Sequence, residues 1–186
     1  MSTDELWDNL KTVVAGCRMC GLCKGRTHTV LGEGNKEAPI IFIGEGPGRQ
    51  EDLQGRPFVG PAGKLFDKML GAIDLTRDDV YIANVVKCRP PRNREPREEE
   101  ANRCLPYLRR QVYLIRPRII VCLGATALKY IIDKDARITR VRGQWYERKG
   151  YFLTSTYHPA ALLRDPKKKY EAWEDFKAIR DKLGEL

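Results

Sequence analysis

Four short apolar runs divide the chain: Pro39–Ile43, Val80–Val86, Arg118–Leu123 and Phe152–Ser155. Each is too short for a helix, and the first is closed by the turn-rich GEGPG, so each reads as a buried strand. The segments between them carry a different period. Leu65, Phe66, Met69, Leu70 and Ile73 share one face of a helix over Ala62–Ile73. Glu98–Ile115 is a longer helix whose first turn holds three acids, which suit the positive end of its dipole. Gly124–Ile132 follows the third strand as a helix. Lys167–Leu183 is a terminal helix packing through Tyr170, Trp173, Phe176 and Ile179. Near the start, Thr3-Asp4-Glu5 opens a helix with a stripe at Leu6, Leu10, Val13 and Val14.

Apolar strands alternating with helices predict an α/β fold. It is a three-layer α/β/α domain around a central four-stranded parallel sheet, spanning residues 1–186 as one unit. In such a sheet the site lies beyond the C-terminal strand ends. GEGPGRQED, NVVKC and TYHPAALLR all fall there.

Charge adds a partner class. Thirty-four basic residues against 25 acidic give +9, which suggests an anionic partner such as nucleic acid, although a solvated basic face gives the same sum. No run of 18 apolar residues exists, so no membrane span is expected, and the acidic, amphipathic start is not a signal peptide. A cytoplasmic protein is the expectation.

Two nucleotide motifs fail. Arg49 stands where GEGPGR would need the third glycine of a dinucleotide fingerprint. Leu65 follows Gly63-Lys64, and Phe58 occupies the first glycine position of a phosphate loop. Glycines 44, 46 and 48 instead mark a sharp turn or a close approach of the backbone. Cys17 and Cys20 form a C-x2-C pair, with Cys88 and Cys104 far downstream. Such a set suits zinc or an iron–sulfur cluster, and spacing does not separate them. Cys23 forms a second C-x2-C with Cys20 and competes as a ligand, whereas Cys122 sits inside RIIVCLG as a core thiol. His28 reads as structural or surface; His158 falls at the strand-end rim beside Pro159. Asn84 is an amide inside an apolar strand and needs a partner, either in the protein or on a ligand. Phe58, in GRPFVG, is a core residue or a platform for a base.

From Cys17 to about Arg164 the ordered set CRMC, VLGEGN, GEGPGRQED, GRPFVGPAG, VYIANVVKCRPP, RPRIIVCLGATA, RVRGQW and TYHPAALLR resembles the iron–sulfur (family 4) uracil-DNA glycosylases. The resemblance implies a [4Fe–4S] cluster on Cys17, Cys20, Cys88 and Cys104, with Cys23 outside the ligand pattern. It implies excision of uracil from single- and double-stranded DNA, leaving an abasic site. A monomer in a prokaryotic cytoplasm, associated with the nucleoid by its function, is the separate expectation. The base would stack on Phe58 and present its edge to Asn84. The backbone of Gly44, Glu45 and Gly46 would lie against it, and His158 would meet the charge that develops on O2. Leu162, four residues past His158, takes the position of the wedge that fills the emptied stack. The best-known superfamily members place an aspartate where this chain has Gly46, so Glu45, Glu51 or Asp52 is left to position water. Other branches use a tyrosine where this chain has Gly48, which makes Glu51 the candidate wall against the thymine methyl group. Two other readings stand beside the enzyme: an iron–sulfur protein that binds uracil DNA without turnover, and a zinc-stabilised nucleic-acid scaffold.

Overall fold

The computed structural model describes residues 1–186. Its strands are β1 Glu33–Gly34, β2 Ile40–Gly44, β3 Tyr81–Asn84, β4 Ile119–Leu123, β5 Tyr146–Arg148 and β6 Tyr151–Thr156. Its α-helices are α1 Thr3–Ala15, α2 Arg49–Gln54, α3 Pro61–Ala72, α4 Glu98–Ile115, α5 Ala125–Ile131, α6 Ile138–Val141, α7 Pro159–Arg164 and α8 Lys169–Glu185. None is long and apolar enough to cross a membrane.

The sheet order is β1-β3-β2-β4-β6-β5. The four inner strands are parallel, as the apolar runs predict, and the two short outer strands pair antiparallel at the edges. The edge strands were invisible as patterns because neither exceeds three residues. Alternation along the inner strands feeds two cores. Ile41, Ile43, Ile120 and Cys122 pack toward Leu10 and Val14 of α1 and Leu105 and Leu108 of α4. Ile40, Phe42, Ile119, Val121 and Leu123 pack toward Phe66 and Leu70 of α3 and Phe176 and Ile179 of α8. Cys122 is a buried core thiol, as its setting implied.

Helix ends follow local chemistry. The Ser2 hydroxyl accepts from the Glu5 N–H, and the Glu5 carboxylate accepts from the Ser2 N–H, fixing the start of α1. Trp7 joins Leu10 and Val14 in the core while Val13 faces solvent. In α8, Ala172, Phe176 and Ile179 are the buried stripe, and Tyr170 is exposed rather than packed. The second strand stops at Asn84, two residues early. Val85 and Val86 still donate to the carbonyls of Gly44 and Glu45, at 2.9 and 3.2 Å, but the chain then turns toward Cys88.

The order matters for function. From β2 the chain steps to β3 on one side and later to β4 on the other. The C-terminal end of β2, at Gly44-Glu45, is therefore a topological switch point, where connections diverge and leave a crevice.

Candidate functional site

A cavity of about 530 Å³ opens at that crevice, lined by Glu45, Gly46, Glu51, Thr126, His158 and Arg164 among others. Glu45 follows β2, Thr126 lies in the first turn of α5 after β4, and His158 follows β6. Three strand ends thus converge on one space.

His158 caps α7: its Nδ1 accepts from the Ala160 N–H at 3.0 Å. A neutral ring bonded this way carries its proton on Nε2. Burial, with the Arg164 cation adding to it, pushes the imidazolium down to about 4, so the ring is neutral at pH 7. The site therefore holds an uncharged N–H donor. Glu45 is half-buried, and its Oε2 accepts from the Thr126 hydroxyl at 2.5 Å. Burial raises its carboxyl above the ordinary range; the Thr126 hydrogen bond opposes this, Glu95 adds to it, and Arg164 opposes it. Thr126 gave no signal in the sequence, because one hydroxyl in GATA means little until the fold sets it opposite Glu45.

Phe58 and Asn84 stand behind this cavity rather than on its wall. Asn84 is 2% exposed, and its Oδ1 has no hydrogen-bond partner in the protein. Gly44, paired with Asn84 in the β2–β3 register, makes the packing possible. A Cβ there would come within 2.6 Å of Asn84 Oδ1 and 2.7 Å of Phe58 Cζ. The backbone approach announced by the glycines is thus met first by the protein's own amide and ring. Phe58 stacks on His158, with centroids 5.4 Å apart and planes at 24°. A base does not fit between rings that close, so the Phe58 face is covered in this state.

One expectation needs correcting. Leu162 is 1% exposed, packed with Tyr157 and Ala172, and is no free wedge; the side chain α7 turns to solvent is Leu163, 45% exposed. The phase of one helical turn decides this, and the sequence offered both leucines. Glu51 borders the cavity, but its carboxylate accepts from the N–H groups of Gly48 (3.1 Å) and Gly60 (3.0 Å), which ties two loops together. Asp52 is likewise occupied, by the N–H groups of Thr27 and His28, and His28 Nδ1 meets the Asp52 carbonyl at 2.9 Å. His28 is structural. Of the three acids, Glu45 alone faces the cavity without being spent on backbone N–H groups.

Beside the start of the β3–α4 connection, Cys17, Cys20, Cys23, Cys88 and Cys104 line one small cavity. Three sulfurs accept hydrogen bonds: Cys17 from the Tyr107 hydroxyl (3.1 Å), Cys88 from Arg26 (3.4 Å) and Cys104 from the Lys87 N–H (3.3 Å). Cys20 and Cys23 accept none of these. No three of the thiols converge on a point as ligands of a lone ion would. Lys87 joins the two regions. Its buried ammonium donates to the Asn84 carbonyl (2.9 Å) and to Gln111 Oε1 (2.6 Å). Burial pushes it down to about 8, against a raising influence from Cys104.

Residues 31–177 match the family described as the uracil DNA glycosylase superfamily. The chain is 47% identical to a type-4 uracil-DNA glycosylase of Archaeoglobus fulgidus over 98% of its own length and 94% of the relative's. It is 49% identical to one of Sulfurisphaera tokodaii, over 94% and 83% of the two chains. Against one of Thermotoga maritima it is 47% identical, over 87% and 85%. With matches of that extent, the chain belongs to the uracil DNA glycosylase superfamily and stands with its type-4 members.

Proposed function

We propose that this protein hydrolyses the N-glycosidic bond of uracil in DNA, single- and double-stranded, and leaves an abasic site for base-excision repair. The observation that carries the reading is the buried, unpartnered Oδ1 of Asn84, set at Gly44 beside Phe58, on whose ring a neutral imidazole donor is stacked. A buried acceptor left unpaired costs about 1–3 kcal/mol, and a bound imide N–H removes that cost.

The base must first leave the duplex, at a cost of a few kcal/mol. Entry slides the His158 ring off Phe58, and the uracil face replaces it. Asn84 Oδ1 accepts from uracil N3–H, and its amide donates to O4. Cytosine presents the reverse pattern, and its rejection leaves a buried polar pair unsatisfied. As the bond stretches, charge accumulates on the base, and the His158 Nε2–H donates to O2. A neutral donor gains strength as its acceptor becomes anionic. Glu45, held by Thr126, faces the sugar side of the cavity and orients the water that attacks the oxocarbenium-like centre.

Cys17, Cys20, Cys88 and Cys104 would hold a [4Fe–4S] cluster, and their soft sulfurs, three of them hydrogen-bonded, fit that donor set. When bound, the cluster supplies bracing, tying the segment after α1 to the loop that leaves Asn84.

The test is release of free uracil from labelled oligonucleotides by purified brown protein, without added metal or nucleotide. Base release from both strand forms is expected. A stable DNA complex that never releases base would replace the enzyme with the binding-protein reading, and colourless protein carrying zinc would remove the cluster.

A further inference from the structure

Phe58 holds an unusual backbone. Its φ is 51°, and among the non-glycine residues with positive φ it is the one aromatic. The left-handed region is a real outlier for a bulky side chain, so something must hold it there. Two neighbouring carbonyls are captured by a single side chain: Arg77 Nη1 donates to Pro57 O at 2.9 Å, and Nη2 donates to Phe58 O. Arg77 is itself fixed on both sides. Its Nε lies 2.6 Å from Asp67 Oδ1 on α3, and its Nη1 lies 3.0 Å from Glu33 Oε2 on β1. The second Glu33 oxygen accepts from Arg56, the residue before Pro57, at 2.8 Å. The α3 helix also presses its Gly63 against the same peptide, where any Cβ would overlap the Phe58 carbonyl.

We propose that Arg77 is a positioning residue for base recognition: by clamping the Pro57 and Phe58 carbonyls it forces the left-handed turn that aims the Phe58 ring at Gly44, Asn84 and His158. This rests on the reading of Phe58 as the stacking platform. Arg77 does not border the strand-end cavity, so it acts only through Phe58. The planar guanidinium matters, because it reaches two adjacent carbonyls and two carboxylates at once, which a lysine ammonium does not. The acidic partners keep the arginine in place; they take no part in binding the base.

Two quantities separate positioning from general damage: inhibition of base release by free uracil, and affinity for a duplex containing an abasic site. Uracil needs the Phe58 face, and the abasic duplex does not. Arg77→Met is expected to weaken uracil inhibition about tenfold, the scale of one stacking contact, with abasic-site affinity unchanged. Arg77→Lys should recover part of the loss by keeping one carbonyl contact. Gly63→Ala, whose methyl group would push the same peptide, should reproduce the signature. Equal losses in both quantities would show a structural role only and overturn the proposal. Normal uracil inhibition in Arg77→Met would overturn it too, even when Phe58→Ala abolishes inhibition. If Phe58→Ala itself leaves uracil inhibition intact, the stacking reading fails first and the proposal with it.

Discussion

The strand-end cleft and the cysteine cavity are a short stretch of chain apart, joined by Asn84–Cys88, yet they treat polar atoms in opposite ways. Behind the cleft a buried amide oxygen is left without a partner, and an aromatic ring lies stacked against an imidazole. In the cysteine cavity three of the sulfurs already accept a donor from tyrosine, arginine or backbone. The first arrangement suits a guest that comes and goes, because the protein gains by supplying what is missing. The second suits a resident that must be held in one geometry. Lys87 touches both, with its N–H on Cys104 and its ammonium on the Asn84 carbonyl.

If the contrast is right, substitutions in the two regions separate stability from recognition. The largest effect belongs to the resident side. Cys88→Ser should abolish the visible absorption and lower Tm steeply, because binding energy of a structural metal group is folding energy. Cys23→Ser should keep both. Absorption spectra and thermal melts check this, and equal losses would return Cys23 to the ligand set. Next comes the guest side. Asn84→Ala should weaken uracil inhibition by about ten- to a hundredfold while Tm holds or rises, since the change removes an orphaned buried oxygen. A fall in Tm with unchanged inhibition would reverse the roles of the regions.

How much of this was legible follows the same division. Apolar period gave the four inner strands and the main helices, since burial on both faces writes itself into consecutive residues. Asn84 and His158 stood out because a polar residue at such a strand end is conspicuous. What the sequence could not show were relations that only packing creates. The side of α7 that faces inward buries Leu162 and frees Leu163. The carboxylate of Glu51 turns away to two backbone N–H groups. Thr126 meets Glu45 across 81 residues. Each depends on helix phase or on a loop path, which residue type does not encode.

The smallest effect expected concerns that last contact. Glu45 must be ionised to orient water, and its carboxyl is raised above the ordinary range, so the acid limb of the pH–rate profile should follow it. Thr126→Val removes an influence that lowers this group, so the limb should move to higher pH, with a loss at neutral pH below about tenfold. An unmoved limb would take Glu45 out of the water-positioning role. His158 should add no break near 6.5, since it is held down to about 4. Its depressed value also makes the fold weaken as pH falls from 6.5 toward about 4, because the unfolded chain takes up that proton first.

The most direct measurement is a crystal structure with free uracil bound. The pyrimidine is expected to lie on the Phe58 ring with His158 displaced from it, N3–H on Asn84 Oδ1 and O2 within hydrogen-bond reach of His158 Nε2. Uracil seated elsewhere in the cleft, with Phe58 still covered and Asn84 Oδ1 still alone, would contradict it.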